Sequence, residues 1–182
     1  MTATINPYAS PETADLVQQE QDVPPVEPKI FAFSGRLGRM RMVTYMFLAS
    51  LLSMAIAMPM MALLFGGNVV LGGLIYVAVL LFSTIYSISL YRRRLHDLDK
   101  SGWWMLLFLV PLVNIGLLLY LCFAAGTAGA NQYGAPTTPN SAGLKVGFVV
   151  SLLFTVALPI LAAISIPAYQ DYVQRAQQAQ MQ

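Results

Sequence analysis

With 57% hydrophobic and only 10% charged side chains over 182 residues, the chain lacks the charged surface of a soluble domain, where roughly a quarter of residues are charged. A soluble fold would need buried helices with no polar face, more than a chain this short can enclose. Its net charge of +2 is spread along the sequence rather than gathered into one face, so no nucleic-acid partner is expected.

Met1 to Pro28 carries Glu12, Asp15, Glu20, Asp22 and Glu27 without a Lys or Arg, punctuated by Pro7, Pro11, Pro24, Pro25 and Pro28. Such a segment buries too little apolar surface to offset its ordering entropy, so residues 1–29 are expected to form a disordered cytoplasmic tail. From Ile30 to Met42 the run IFAFSGRLGRMRM places Phe33, Leu37 and Met40 on one helical face, with Arg36, Arg39 and Arg41 outside it. That pattern predicts an amphipathic interfacial helix capped by Ser34, with its arginines at anionic headgroups.

Four uncharged runs follow: Val43 to Phe65, Val69 to Tyr91, Trp103 to Ala125 and Val146 to Ala168. About 20 apolar residues span a hydrocarbon core as helix, so each is predicted to cross. In the first, Ala49, Ser53 and Ala57 form a small-residue stripe, and in the second Ser83 and Ser87 share a face, both suited to helix contact. Gly66-Gly67-Asn68 is too short for anything but a tight turn between antiparallel neighbours.

The charged stretch YRRRLHDLDKSGWW, Tyr91 to Trp104, joins the second and third runs and holds the only histidine and both tryptophans. Arg93 with Asp97, and His96 with Lys100, stand four apart, as neighbours on a helix prolonging the second span. Trp103 and Trp104 mark the return to the interface. A metal or acid-base role for His96, Asp97 and Asp99 is opposed by the adjacent cations and the lack of a second histidine, so no metal, cofactor or catalytic residue is expected. The candidate lipid or partner contacts are Arg36, Arg39, Arg93, Arg94, His96, Asp97, Trp103 and Trp104.

In the third run Pro111 predicts a kink, and Asn114 is the candidate intramembrane polar contact. Cys122, the only cysteine, lies in the same run, which excludes an intrachain disulfide and suits a small buried hydrophobe. GTAGANQYGAPTTPNSAG then reads as a turn-filled loop, and the fourth run ends in a polar, Gln-rich helix. If both termini are cytoplasmic, nine of the ten cations lie inside and only Lys145 lies outside, a strong positive-inside pattern. The Gly-Asn-Pro loop is then expected to face outward.

FSGRLGRMR before the first span, RRLHDLDKSGWWMLLFLVPLVNIG in the middle and GTAGANQYGAP after the third together resemble the bacterial inner-membrane family called domain of unknown function 805. The resemblance covers about residues 31–139 and implies a small helical membrane fold, with no established activity. A second, shorter resemblance, LAAISIPAYQDYVQRAQ from Leu161 to Gln177, is to the distal part of a type IV pilin's amino-terminal helix. With Pro167 placed on the pilin proline, Val150 stands where a pilin has glutamate and Lys145 where it has the processed glycine, so prepilin cleavage is not expected.

The resulting expectation is an all-α, four-span inner-membrane protein. Its parts are the tail at 1–29, a three-span region at 30–139, and a fourth span with its polar helix at 140–182. Its function is expected to be non-enzymatic: interaction or scaffolding through the Arg-rich loop, with the lipid bilayer, anionic headgroups, a membrane protein or a second copy as partner. A subunit of a small transporter or channel, using Asn114 and the proline-kinked helices, is the alternative.

Overall fold

In a computed structural model, residues 23–180 are described, so most of the acidic tail expected at 1–29 lies outside them. The order of elements is α1 (Arg39–Phe65), α2 (Val69–Asp97), a 3-10 helix (Gly102–Leu109), α3 (Val113–Phe123) and α4 (Ala142–Gln180). No strand occurs among the described residues, only two isolated β-bridges, Val26 with Thr137 and Asn131 with Gly134. The all-α class expected from the sequence therefore stands. The chain divides into two compact units, one ending at Asn140 and the other running from Ser141.

In the first unit α1 and α2 form an antiparallel hairpin about the expected turn. Gly67 takes a φ of +90°, a conformation that suits glycine, and Asn68 N–H donates to the Leu63 carbonyl at 3.0 Å. A Cβ added at Gly72 would lie 2.6 Å from Leu64, so the helices start in close backbone approach. Deeper in the pair the Ser53 and Ser83 hydroxyls share a hydrogen bond of 2.9 Å, joining the two predicted small-residue faces.

The predicted interfacial helix is not formed. Residues 30–38 are irregular, with Gly35 at a φ of +88°, and they cross the end of α2 as a strap. Leu37 N–H donates to the Arg93 carbonyl at 3.1 Å, and the Ser89 hydroxyl donates to the Ala32 carbonyl at 2.5 Å. These long-range bonds replace the local ones a helix would need, and Leu37 is fully buried while Phe33 remains exposed. Helix α1 starts at Arg39, so Arg39 and Arg41 belong to its first turn.

The third predicted span, 103–125, is not one crossing helix. The 3-10 helix ends at Leu109, and α3 begins only at Val113. Pro111 biases its predecessor away from helical geometry, and Val110 is extended at φ −94° and ψ 116°. Leu112 then takes a φ of +67°, which reverses the chain.

Both ends of this segment sit at the same end of α2. A Cβ on Gly102 would lie 3.1 Å from the Arg92 side chain, the carbonyls of Leu121 and Ala124 accept from Arg94, and that of Phe123 accepts from Arg39. Between them the Phe108 ring packs at a tilt against Tyr91, centroids 4.8 Å apart, and Leu109 reaches a groove shared with Ser83, Thr84 and Ser87. Eight residues of 3-10 helix and eleven of α-helix each rise about 16 Å, roughly half of a 30 Å hydrocarbon core. The segment therefore enters beside α2, turns at Pro111 and Leu112, and returns. Among the described residues three helices, α1, α2 and α4, are long and apolar enough to cross a membrane, rather than the four expected.

The second unit is one continuous helix. Ser141 caps α4, its hydroxyl accepting from Leu144 N–H at 3.3 Å. The helix runs through Pro159 and Pro167 for 39 residues, about 58 Å at 1.5 Å per residue. That exceeds the hydrocarbon thickness, so its Gln-rich end extends beyond the apolar stretch.

Labelling tests the hairpin. In a Cys122→Ala background, cysteines at Asp99 and Ala128 are expected to react with an impermeant maleimide from one side of the membrane. A cysteine at Asn68 is expected to react from the other. Reaction of residues 99 and 128 from opposite sides would restore a crossing third span.

Candidate functional site

The strap, the last turn of α2, the loop after it and residues 124–140 gather at one end of the first unit into a polar head. At its centre is Asp97, the last residue of α2. Arg36 Nε donates to Asp97 Oδ1 at 3.1 Å, and Arg94 Nη1 pairs with Oδ2 from one helical turn away. All three side chains are buried. The predicted i,i+4 partner of Asp97, Arg93, points elsewhere and donates to the Lys29 carbonyl at 2.8 Å.

The two guanidiniums then distribute their remaining donors over backbone carbonyls. Arg36 reaches Gly129 at 2.6 Å and Thr127 at 2.5 Å, and Arg94 reaches Leu121 at 2.8 Å and Ala124 at 2.5 Å. Five N–H donors in a fixed fork suit arginine to this task, which a single ammonium could not perform. Thr127 N–H in turn donates to the Asp97 carbonyl at 2.9 Å. Gly126 passes so close that a Cβ there would lie 2.2 Å from Asp97 Oδ2. Only glycine fits.

His96 stacks on Tyr133, ring centroids 3.9 Å apart and planes within 5°. The Asn131 amide donates to the His96 carbonyl at 2.8 Å and to the Thr127 hydroxyl at 2.9 Å. The predicted His96 and Lys100 neighbours are apart in role: the Lys100 ammonium lies 5.5 Å over the Trp104 ring. The loop expected to face away from the charged stretch is thus folded directly onto it. Its GTAGANQYG run supplied the signal, since Thr127, Asn131 and Tyr133 make these contacts, but spacing alone does not show what they touch.

The predicted site residues divide by exposure. Arg36, Arg93, Arg94, His96 and Asp97 are buried in the head, whereas Arg39, Trp103 and Trp104 are exposed on its edge, Trp103 at 77%. Arg92, not singled out from sequence, is exposed beside them and lines a pocket of about 360 Å³ with His96, Ser101, Gly102, Trp103 and Tyr133. Asn114 stands apart, near the turn of the re-entrant segment, and its buried Oδ1 has no hydrogen-bond partner. Among the described residues no three His, Cys, Asp or Glu side chains converge. The chemistry this arrangement offers is ion pairing and hydrogen-bond donation.

Residues 30–135, which hold the strap, the re-entrant segment and the Arg-Asp centre, match the family described as "Protein of unknown function (DUF805)". The chain belongs to this family. Among its relatives, "Inner membrane protein YhaH" of Escherichia coli (strain K12) is 39% identical over 61 residues, 30% of this chain and 50% of the relative. "Inner membrane protein YhaI" of the same strain is 49% identical over 47 residues, 26% of this chain and 40% of the relative. The chain thus spans about half the length or less of the curated relatives it matches. No solved structure matches. The DUF805 chain is an inner-membrane protein, as its relatives and its apolar helices agree, and no specific activity attaches to it.

Removing the buried carboxylate should unlock the head. Asp97→Ala leaves Arg36 and Arg94 facing each other without a counter-charge, a loss of about 3–5 kcal/mol for a broken buried pair. Gly126→Ala is expected to destabilise through steric overlap at the same point. Both should lower the thermal unfolding midpoint in detergent by several degrees or more, while Asp99→Asn, which removes an exposed charge and keeps a side chain tolerant of the positive φ there, should not.

Proposed function

We propose that the protein is a non-enzymatic interaction protein of the inner membrane whose head faces the cytoplasm and contacts anionic lipid headgroups. The observation that carries this reading is the edge of the head. Arg39, Arg92 and Lys100 stand with Trp103 and Trp104 around the buried Arg36-Asp97-Arg94 cluster. Cations at headgroup depth attract anionic lipid by about 1 kcal/mol each, and tryptophan favours the same depth. Arg36 and Arg94, by contrast, hold the head together, so their guanidiniums act on lipid only through the shape they maintain.

The re-entrant segment supports a revised topology. With 102–123 returning to the head, three crossings leave the amino terminus cytoplasmic and carry the end of α4 to the outer face. Lys145 then lies inside and Arg175 outside, which again leaves nine of ten cations on the cytoplasmic side. The charge pattern is thus equally good for both topologies, and the contacts at Arg94 favour the odd count. The pilin-like stretch from Leu161 to Gln177 then points outward, as that part of a pilin helix does, which fits a partner in envelope assembly.

The two tryptophans are a built-in probe, since the chain has no others. Energy transfer from them to dansyl-labelled phosphatidylglycerol should exceed transfer to dansyl-labelled phosphatidylethanolamine at equal loading. Replacing Arg39, Arg92 and Lys100 together by Gln should remove at least half of that preference, as should high salt. Equal transfer to both lipids in the native protein would refute lipid recognition by the edge. For topology, alkaline phosphatase fused after Gln182 should be active and a green fluorescent protein fused there dark, and the reverse pair would return the terminus to the cytoplasm.

A further inference from the structure

The head holds an unbalanced charge. Arg36, Arg41, Arg93 and Arg94 are each no more than 5% exposed, and Asp97 is the one acid among the buried residues described. Arg36 and Arg94 share that carboxylate, which leaves Arg41 and Arg93 with none. Arg41 donates to the Thr138 hydroxyl at 2.9 Å, and Arg93 donates to the Lys29 carbonyl at 2.8 Å, both neutral acceptors. Arg41 Nη1 and Arg93 Nε are buried with no hydrogen-bond partner at all. Orphaned donors on two neighbouring buried cations are expensive, and an anion that accepts from them would remove the penalty.

The surroundings indicate which anion. Arg41 and Arg93 lie close enough to repel, with Tyr45 and Tyr86 beside Arg93. On α1 the sequence descends from Arg41 through Tyr45 to Leu48, Ala49 and Leu52, and on α2 from Arg93 through Tyr86 to Phe82. These are one-turn and two-turn spacings, so on each helix the arginine tops a common face. Tyr45, Leu48, Ala49, Leu52, Phe82 and Tyr86, roofed by Ile30 and Phe31 of the strap, line an apolar groove of about 160 Å³. Ile30, Phe31, Leu48, Leu52 and Phe82 are exposed there.

We infer that this groove between α1 and α2 is a binding site for one anionic phospholipid. Its phosphodiester sits at Arg41 and Arg93, the tyrosine hydroxyls lie at glycerol depth, and an acyl chain runs along Leu48, Leu52 and Phe82. A free phosphate would answer the charge but leave the groove uncovered, and a neutral lipid would fill the groove but leave the cations unmatched. Bidentate arginine donation to phosphate oxygens provides the selection. The inference rests on the head facing the inner leaflet, and it adds a stoichiometric site distinct from the diffuse attraction at the edge.

Native mass spectrometry of the full chain released from phosphatidylethanolamine nanodiscs, with and without phosphatidylglycerol, tests it. The wild type should retain one phosphatidylglycerol molecule. Arg41→Gln with Arg93→Gln should lower the retained fraction about tenfold or more. Leu52→Trp, at an exposed position in the groove, should lower it similarly with an unchanged unfolding midpoint, so the test survives if the arginine variants fold poorly. Millimolar inorganic phosphate should not displace the lipid; displacement would mark a phosphate site and overturn the lipid assignment. Retention undiminished by Leu52→Trp, or equal retention of phosphatidylethanolamine, would also overturn it. The edge variants Arg39→Gln, Arg92→Gln and Lys100→Gln should keep the bound lipid while losing the energy-transfer preference, so failure of one reading is separable from failure of the other.

Discussion

The pairing of two buried arginines with a single carboxylate at the end of α2 is the constraint on which the rest of the head depends. Asp97 neutralises only part of the charge of Arg36 and Arg94, so the remaining donors must find carbonyl oxygens. The carbonyls they find belong to residues 121, 124, 127 and 129, which is how one ion cluster holds the end of α3 and the following loop against the strap and α2. An apolar core alone would not specify this arrangement, because lipid is as apolar as the side chains and provides no drive for helices to associate. Directional bonds to buried charge do specify it.

The same cluster explains the re-entrant segment. A chain that leaves α2 at Asp97 and must bring Leu121 and Ala124 back to Arg94 cannot cross the bilayer between them. Its turn is made where backbone chemistry permits, at a proline without an N–H and a leucine in a left-handed conformation. Irregular backbone at membrane depth is tolerated where neighbours satisfy it. Here Asn114 and Gly116 restore hydrogen bonding at once, donating to the carbonyls of Val110 and Leu112.

The head holds three kinds of cation. Arg36 and Arg94 have an internal carboxylate partner and act through structure, while Arg39, Arg92 and Lys100 lie on the exposed or half-exposed edge, with Arg39 also donating to the Phe123 carbonyl. Arg41 and Arg93 belong to neither group, being buried without a counter-charge. A residue count treats all seven alike. Burial and partners distinguish them.

By itself the sequence determined the membrane setting, the all-α class, the α1–α2 hairpin with its glycine turn and serine contact, and the membership of the family. These features depend on local quantities, the length of an uncharged run, a turn too short to do otherwise, and small residues at helical spacing, all of which can be read without knowing what lies across the fold. Where the local pattern misled, a distant partner had overridden it: Phe33, Leu37 and Met40 have helical spacing, yet the strap is held by Arg93 and Ser89, and Trp103 to Ala125 has the length of a span, yet Arg94 draws its end back. Which arginine meets Asp97, and on which side of the head the Gly-Asn-Pro loop lies, only the tertiary structure decided. Charge counts could not decide it, because moving Lys145 inside and Arg175 outside leaves the same total, whereas a buried guanidinium accepts only those partners whose oxygens reach it.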